Sequence, residues 1–285
     1  MTTYKDIHGT AVQNVAGNPD NPQKGQLWYD STNSEFKFQD QVVGDAWSTQ
    51  ADMNTAREGL SGSGTQTAAL GWAGATQPGS IRAETEFWNG STWTELNDLN
   101  QSKTLDAGAG TVYTSSLSFG GRNPGGTRIA LTELFNGTNW TEVNDLNTAR
   151  YNLGMTGADN TAAVAFGGDV NPGRPANTEL WNGSNWTEVN DLNTGRSSIA
   201  GAGTNTAALA FGGDEPPRTA TTESWNGTNW TFLGNMNVAR TTSGNTGGTS
   251  SALAAGGNGP GFTDVVEEWD GTGFIIRTAT TTSDN

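Results

Sequence analysis

The sequence contains no cysteine and a single histidine, His8, in 285 residues. The chain therefore has no disulfide framework and no thiol chemistry, and a zinc site or a histidine-dependent nucleophile is nearly excluded. No apolar run reaches the length that spans a membrane, and the first residues lack the basic and apolar regions of a secretory signal peptide. These absences argue against many classes of metalloenzyme, hydrolase and membrane protein.

Positive charge is also scarce, with 14 lysines and arginines against 29 aspartates and glutamates and a net charge of −15. Nucleic-acid binding requires a basic stripe that replaces counterions, and an anionic lipid surface repels an acidic protein. We therefore expect no nucleic-acid partner and no membrane insertion. The acidity is typical of a surface that keeps a glycine-rich β-protein soluble.

A segment of about 45 residues occurs five times in succession and occupies most of the sequence. The copies are variants of one template, which runs from a cation through small residues and an apolar run, then through T-E-x-W, Asn-Gly and a second aromatic residue. A period of this size with strand-like content predicts a β-propeller or another repeat array. The anchoring aromatic residues are Trp47, Trp93, Trp140, Trp186 and Trp230, with Phe274 in the sixth place.

One copy, residues 147–192, predicts four antiparallel strands, which we label A to D. Residues 153–157 are small, residues 161–166 form an apolar run, and 178–181 and 186–189 are joined through Asn-Gly, a strong hairpin signal. Such sheets bury both faces when they stack around an axis, with the small A strands innermost and the tryptophans in the wide outer part. We therefore predict an all-β propeller, with five four-stranded blades favoured.

The copies resemble the kelch repeat, in which an apolar strand ends in Gly-Gly and aromatic residues follow. The resemblance covers about four-fifths of the chain and implies a kelch-like β-propeller. The first copy departs from the pattern, because Ala73-Gly74 replaces the glycine pair. The pairs are Gly120-Gly121, Gly167-Gly168, Gly212-Gly213 and Gly256-Gly257, and the outer aromatic residues are Trp88, Phe135, Trp181, Trp225 and Trp269.

The D-type strand occurs once more often than strands A to C, so the sequence leaves the closure of the ring open. Residues 47–53 would complete the last blade, or residues 25–53 would form a partial sixth blade with strands near 25–29 and 35–38. We divide the chain into an N-terminal arm with a short hairpin, 1–46, and the propeller, 47–285.

Charged residues at fixed template positions are interpreted as structural. An asymmetric ligand seldom requires five copies of one group, so we expect each cation to pair with a carboxylate in a network between blades. The cations are Arg57, Lys103, Arg150, Arg196 and Arg240, and the carboxylates are Glu86, Glu133, Glu179, Glu223 and Glu267.

The loops between strands B and C differ from copy to copy, and each contains proline. Variable loops on a rigid scaffold are the usual place for recognition, and arginine forms several hydrogen bonds with carboxylates and sugar hydroxyls. The loops therefore predict a binding face, with drift of unconstrained loops as the alternative. The candidate binding residues are Arg122, Arg128, Asp169, Arg174, Asp214, Glu215 and Arg218.

Catalytic chemistry finds little support in the residues. The copper centre of galactose-oxidase-like kelch proteins requires Cys, Tyr and His, and sialidase propellers carry S-x-D-x-G-x-x-W boxes that this sequence lacks. We therefore expect a protein that is not an enzyme and that has no cofactor. A calcium ion near Asp169 and Asn171, or near Asp214 and Glu215, is the alternative left open.

The segment before the repeats resembles the N-terminal part of tail-fibre and related virion proteins of marine and cyanobacterial phages. The resemblance rests on a D-P-x-N-P-x-x-G-x-x-W-Y-N motif, with Asp30 where Asn is usual. It implies a virion protein whose arm docks on other virion proteins while the propeller faces a host glycan or protein; self-association is left open. The alternative is a cellular kelch-type interaction adaptor. The matching residues are Pro19, Asn21, Pro22, Gly25, Trp28 and Tyr29.

Overall fold

The computed structural model describes residues 13–16, 27–38, 49–170, 172–241 and 244–277. The chain divides into two compact units, Met1–Gln50 and Ala51–Asn285. Every regular element in the described ranges is a β-strand.

The first unit contains a three-stranded sheet formed by Gln13–Val15, Leu27–Asp30 and Glu35–Phe38. The first strand pairs parallel with the second, and the second pairs antiparallel with the third, which forms the predicted hairpin. Trp28 is buried on the middle strand. The motif residues Pro19, Asn21, Pro22 and Gly25, together with His8, lie outside the described residues.

Asp30 closes the turn of this hairpin. Its Oδ1 accepts the backbone N–H groups of Thr32 at 2.9 Å and Asn33 at 3.3 Å, and Oδ2 lies 2.9 Å from Nζ of Lys37. A short side chain that accepts N–H groups two and three residues ahead is the usual device for such a turn. Aspartate at this position therefore stabilises the turn in the way that an asparagine would.

The second unit is a propeller of five four-stranded antiparallel blades, which confirms the predicted fold class. Each blade is one continuous stretch of chain with the strand order A-B-C-D. The strands are Ser61–Thr65, Ala68–Trp72, Thr85–Trp88 and Trp93–Glu95 in blade 1; Ala107–Ala109, Ser116–Phe119, Thr132–Phe135 and Trp140–Val143 in blade 2; Gly154–Asp159, Ala162–Phe166, Thr178–Trp181 and Trp186–Val189 in blade 3; Ala200–Gly203, Ala208–Phe211, Thr222–Trp225 and Trp230–Phe232 in blade 4; and Gly244–Gly248, Ser251–Asn258, Phe262–Trp269 and Phe274–Arg277 in blade 5. Blade 1 adds a small hairpin, Ala75–Thr76 with Ser80–Ile81, in its B–C loop.

In blades 2 to 5 the D-strand aromatic residue packs against the B strand of the preceding blade. Trp186 lies with its ring centroid 4.8 Å from that of Phe119, and Trp230 lies 5.0 Å from Phe166. Aromatic pairs at this spacing add to the burial of their area. These contacts explain why an aromatic residue recurs with the sequence period.

The glycine pair at the end of strand B lies where one blade meets the next. Gly167 has φ +59°, and a Cβ there would lie 2.4 Å from the carbonyl oxygen of Arg196 in the following blade. In blade 1 Ala73 occupies the first position of the pair with φ +62°. A side chain is strained in this left-handed region, so blade 1 tolerates a departure that the other blades avoid.

Ring closure differs from both sequence-based alternatives. Blade 5 has four strands of its own, ending in Phe274–Arg277, so it does not require residues 47–53. Trp47 lies outside the described residues, and 50–53 do not form a strand. The strands at Leu27–Asp30 and Glu35–Phe38 belong to the sheet of the first unit rather than to a sixth blade.

Candidate functional site on the B–C loop face

The B–C loops share one face of the propeller with the segments that join strand D to the next strand A. Short antiparallel bridges connect the two, as in the pairs Tyr151 with Asp169 and Ser197 with Asp214. The backbone N–H of Arg150 also donates to the carbonyl oxygen of Ile129 in the B–C loop of the preceding blade. We call this surface the loop face.

Three loop-face arginines reach into the next blade. Nη2 of Arg128 lies 2.6 Å from Oδ1 of Asp169, and Nη2 of Arg174 lies 2.8 Å from Oδ2 of Asp214. Arg218 donates from Nη1 to the carbonyl oxygen of Gly259 at 2.5 Å. The predicted binding arginines of blades 2, 3 and 4 therefore each contact the following blade.

The two aspartates predicted for the loop face each bind an arginine of the preceding blade. Glu215, next to Asp214, is partly buried, and Asn171 lies outside the described residues. Within the described ranges no group of three or more His, Asp or Glu side chains is arranged to hold a metal ion. The structure therefore gives Asp169 and Asp214 a contact between blades.

Blade 2 adds a second arginine to this face. Arg122 pairs with Arg128 through a backbone bridge, and the guanidinium carbons of both lie 5.1 Å from the centroid of the Tyr151 ring. Cations over an aromatic ring at this distance are attracted by its quadrupole. Two guanidinium groups and the carboxylate of Asp169 thus surround one tyrosine.

Blade 5 presents an exposed aromatic side chain on its B–C hairpin. Strands Ser251–Asn258 and Phe262–Trp269 extend this hairpin, and Phe262 is 93% exposed. A large apolar side chain in water carries no folding advantage. Phe262 is therefore available for contact with another molecule.

The template cations lie in the interior instead. Nη2 of Arg150 lies 2.9 Å from Oε1 of Glu179, and Nη1 donates to the carbonyl oxygens of Gly167 at 3.0 Å and Asn177 at 2.7 Å. Both members of the ion pair belong to blade 3, so the pair stabilises a blade from within. Contact with the preceding blade comes from the backbone, because the carbonyl oxygen of Arg150 accepts the N–H of Gly121.

An asparagine that was not among the predicted site residues completes this buried cluster. Asn147 donates its backbone N–H at 2.7 Å and its Nδ2 at 2.9 Å to Oε2 of Glu179. Asparagine stands three residues before every template cation, and this regularity was the available signal. The equivalent carboxylate contacts involve Arg57, Glu86 and Asn54 in blade 1, Arg196, Glu223 and Asn193 in blade 4, and Arg240, Glu267 and Asn237 in blade 5.

Blade 2 satisfies the same position less completely. Nζ of Lys103 lies 3.8 Å from Oε1 of Glu133 and 3.5 Å from the carbonyl oxygen of Ser118, and Oε1 of Glu133 has no hydrogen-bond partner. Burial lowers the pKa of Lys103. An ammonium group cannot reproduce the forked set of donors that arginine supplies in the other blades.

Asp106, three residues after Lys103, is a second departure of blade 2. Its carboxylate accepts the indole N–H of Trp72 at 3.0 Å and the hydroxyl of Ser118 at 2.6 Å, and burial raises its pKa. Trp72 belongs to blade 1, whereas the B strands of blades 2 to 4 carry phenylalanine at this position. The indole N–H of Trp72 needs a hydrogen-bond acceptor, and Asp106 supplies it. The equivalent position in blade 3 is occupied by Leu153.

A second series of polar contacts links the outer parts of neighbouring blades. The indole N–H of Trp186 donates to the hydroxyl of Thr132 at 3.0 Å, and the same bond recurs from Trp140 and from Trp230 in their blades. Phe274 lacks the donor, and the hydroxyl of Thr222 is buried without a hydrogen-bond partner.

Around the central axis, backbone hydrogen bonds connect blades 1 to 4 in succession. The N–H groups of Leu105, Asn152 and Ser198 donate to the carbonyl oxygens of Gly59, Leu105 and Asn152 at 3.0, 3.1 and 2.7 Å. The four residues, which we call the axial ring, all have positive φ. They border a cavity of about 330 Å³. Asp106 is the charged residue of its lining, and its carboxylate is already hydrogen-bonded.

A comparison with protein-family models finds no match, and a search of the curated proteins finds none either. None of the described residues forms a helix long and apolar enough to cross a membrane. The architecture, five blades of four-stranded sheets, is consistent with a kelch-like propeller.

Proposed function

We propose that the protein is a non-enzymatic structural protein of a phage virion, in a tail fibre, another tail component or a capsid decoration. In this proposal its propeller contacts a host surface or another protein. A β-propeller fits a protein-interaction role. The observation that carries the proposal is the contrast between a buried polar cluster repeated in all five blades and loops that differ from blade to blade.

The scaffold supports recognition because its loops are anchored. The loop-face arginines fasten neighbouring loops to one another, so a partner meets a surface whose shape is fixed before binding. A preorganised surface loses less conformational entropy on association. Phe262 and the arginines around Tyr151 are exposed or partly exposed features that belong to single blades.

The virion assignment rests on the N-terminal motif. Trp28 and Tyr29 lie on the middle strand of the first sheet, and Asp30 closes its hairpin turn. In the proposal the first unit attaches the protein to other virion proteins and leaves the propeller to face outward.

Two measurements test this assignment together. Mass spectrometry of purified particles should detect the protein, and deletion of residues 1–46 should abolish incorporation while the propeller still unfolds cooperatively. The matched control is Phe262→Ser in the full chain, which should be incorporated as the parent is. Absence of the parent from particles, or normal incorporation of the deletion variant, would contradict the assignment.

A cellular adaptor is the second candidate, and the outer edge of blades 4 and 5 favours it. Phe232 and Ile276 are 54% and 50% exposed at the strand D position that Glu95 and its equivalents occupy in blades 1 to 3. Apolar side chains on an exposed edge strand are typical of a protein contact. Under this alternative the deletion of residues 1–46 leaves partner binding and localisation unchanged.

A further inference from the structure

The loop face of blade 2 has an imbalance of charge. Arg122 and Arg128 both lie over Tyr151, and Arg128 is paired with Asp169. Arg122 donates to the carbonyl oxygen of Gly126 at 3.4 Å and has no carboxylate partner among the described residues. Both guanidinium carbons lie 5.1 Å from the centroid of the same ring, so the two cations are close neighbours. One carboxylate, that of Asp169, therefore faces two guanidinium groups, and the positive charge of Arg122 is left without compensation.

The arginine–aspartate contact between blades does not explain Arg122. At its template position blades 3 and 4 carry Asp169 and Asp214, which accept an arginine from the preceding blade. Arginine at this position cannot accept such a bond. Blade 2 therefore carries a cation where blades 3 and 4 use an acid to hold the blades together.

The loop holds this cation in place. The N–H of Asn123 donates to the carbonyl oxygen of Thr127 at 3.0 Å, Gly126 donates back to Asn123 at 2.9 Å, and Oδ1 of Asn123 accepts the N–H of Thr127 at 3.0 Å. The short hairpin and the Tyr151 ring thus restrict Arg122 before any ligand arrives. A restricted guanidinium loses less entropy on binding than a free one.

We propose that Arg122, with Arg128 and Tyr151, binds the carboxylate of an acidic sugar. This inference rests on the proposed recognition role and specifies its ligand. A guanidinium group forms two parallel hydrogen bonds with a carboxylate. The side-chain amide nitrogen of Asn123 and the hydroxyl of the exposed Thr127, which make no hydrogen bond within the described residues, lie on the same turn and suit sugar hydroxyls. The overall charge of −15 repels dense polyanions such as nucleic acids, which favours a ligand with isolated anionic groups.

Binding of the purified full chain to a galactose oligomer that carries one terminal galacturonic acid residue, measured by calorimetry, tests the proposal. The parent should bind this acidic oligomer and not a neutral galactose oligomer of the same length. Arg122→Gln should weaken binding about tenfold or more, as expected when one charge-assisted pair is lost. The matched control is Arg82→Gln in the B–C loop of blade 1, whose parent side chain is paired with Glu84, and it should bind as the parent does. Equal melting temperatures of the two variants would show that both are folded.

Four outcomes overturn the proposal: no binding to the acidic oligomer, equal binding to the neutral one, unchanged binding by Arg122→Gln, or stronger binding to inorganic phosphate or an acidic peptide than to the sugar. Virion incorporation of Arg122→Gln is measured separately. Loss of sugar binding with normal incorporation supports the site. Sugar binding that depends on Arg122 in a protein absent from virions would uphold the site and reject the virion assignment.

Discussion

Blade 3 carries the whole template, whereas blade 5 has lost several of its residues. Phe274 replaces the D-strand tryptophan, Val266 replaces the threonine before the glutamate, and Ala255 replaces the aromatic residue before the glycine pair. The buried cluster is nevertheless complete in blade 5, where Arg240 pairs with Glu267. The comparison shows that both blades keep the arginine cluster, whereas the aromatic and hydroxyl contacts between blades can be exchanged for others.

The largest expected effect comes from the cluster itself. Arg150→Met leaves Glu179 buried without its cation, and breaking a buried pair in this way costs about 3–5 kcal/mol. Arg240→Met in blade 5 should cost a similar amount, because the same contacts are lost. Chemical denaturation of both variants beside the parent measures the free energy of unfolding. A loss below about 1 kcal/mol at either position would mean that the cluster does not determine blade stability.

The hydroxyl contact gives a smaller effect with opposite signs in the two blades. Trp186→Phe removes the N–H that Thr132 accepts and should cost about 0.5–1.5 kcal/mol, since the hydroxyl of Thr132 then keeps only its 3.5 Å bond to the carbonyl oxygen of Ala130. Phe274→Trp offers Thr222 its missing donor and should add about 0.5–1.5 kcal/mol. Thermal unfolding of the two variants makes the test. Destabilisation by Phe274→Trp together with no effect of Trp186→Phe would show that blade 5 differs in packing rather than in hydrogen bonding.

Blade 2 extends the comparison to the cation. Lys103→Arg should restore the missing donors to Glu133 and stabilise the protein by about 0.5–1.5 kcal/mol at neutral pH. Burial lowers the pKa of Lys103 from 10.5 in the folded protein, so between the lowered value and 10.5 the unfolded chain binds more protons. The stability of the parent then rises with pH in that window.

The advantage of the Lys103→Arg variant should therefore be largest at neutral pH and should shrink as the pH approaches 10.5. Urea denaturation of variant and parent at several pH values measures this. A constant difference across the range would mean that the lysine carries no buried charge.

The smallest effect is expected on the loop face. Arg174→Ala removes an ion pair whose side chains are 31% and 32% exposed, and such pairs contribute about 0–1 kcal/mol. High salt should reduce the difference further, because it screens exposed charges. Denaturation at low and at high salt measures both quantities. A loss of unfolding free energy close to that of Arg150→Met would mean that the fold depends on the loop arginines for its stability.

The repeat allowed the architecture to be predicted from sequence, because each blade is a local unit. In blade 3 strands C and D, Thr178–Trp181 and Trp186–Val189, have the predicted bounds, and strand A, Gly154–Asp159, begins one residue later than predicted. Asn-Gly and the glycine pairs define turns through backbone conformations that depend on neighbouring residues alone. The buried position of the template cations follows from the same regularity.

The loop contacts could not be predicted in this way. The pair Arg128 with Asp169 joins residues of different blades, and no periodic signal identifies it because the loops have unlike lengths and sequences. Tyr151 was not a candidate, since it is an ordinary residue after a template cation until the fold brings two arginines over its ring. The buried position of Asp106 could not be predicted either, because its hydrogen-bond partner Trp72 belongs to the preceding blade.

The continuity of each blade along the chain has a mechanical consequence. When the two ends of the propeller are pulled apart, a terminal blade can separate without breaking a strand pair in any other blade. Each event would release about 45 residues, or about 150 Å of extended chain. Stretching single molecules should therefore give a force–extension curve with a sawtooth of nearly equal steps. The length of each step should correspond to one sequence repeat.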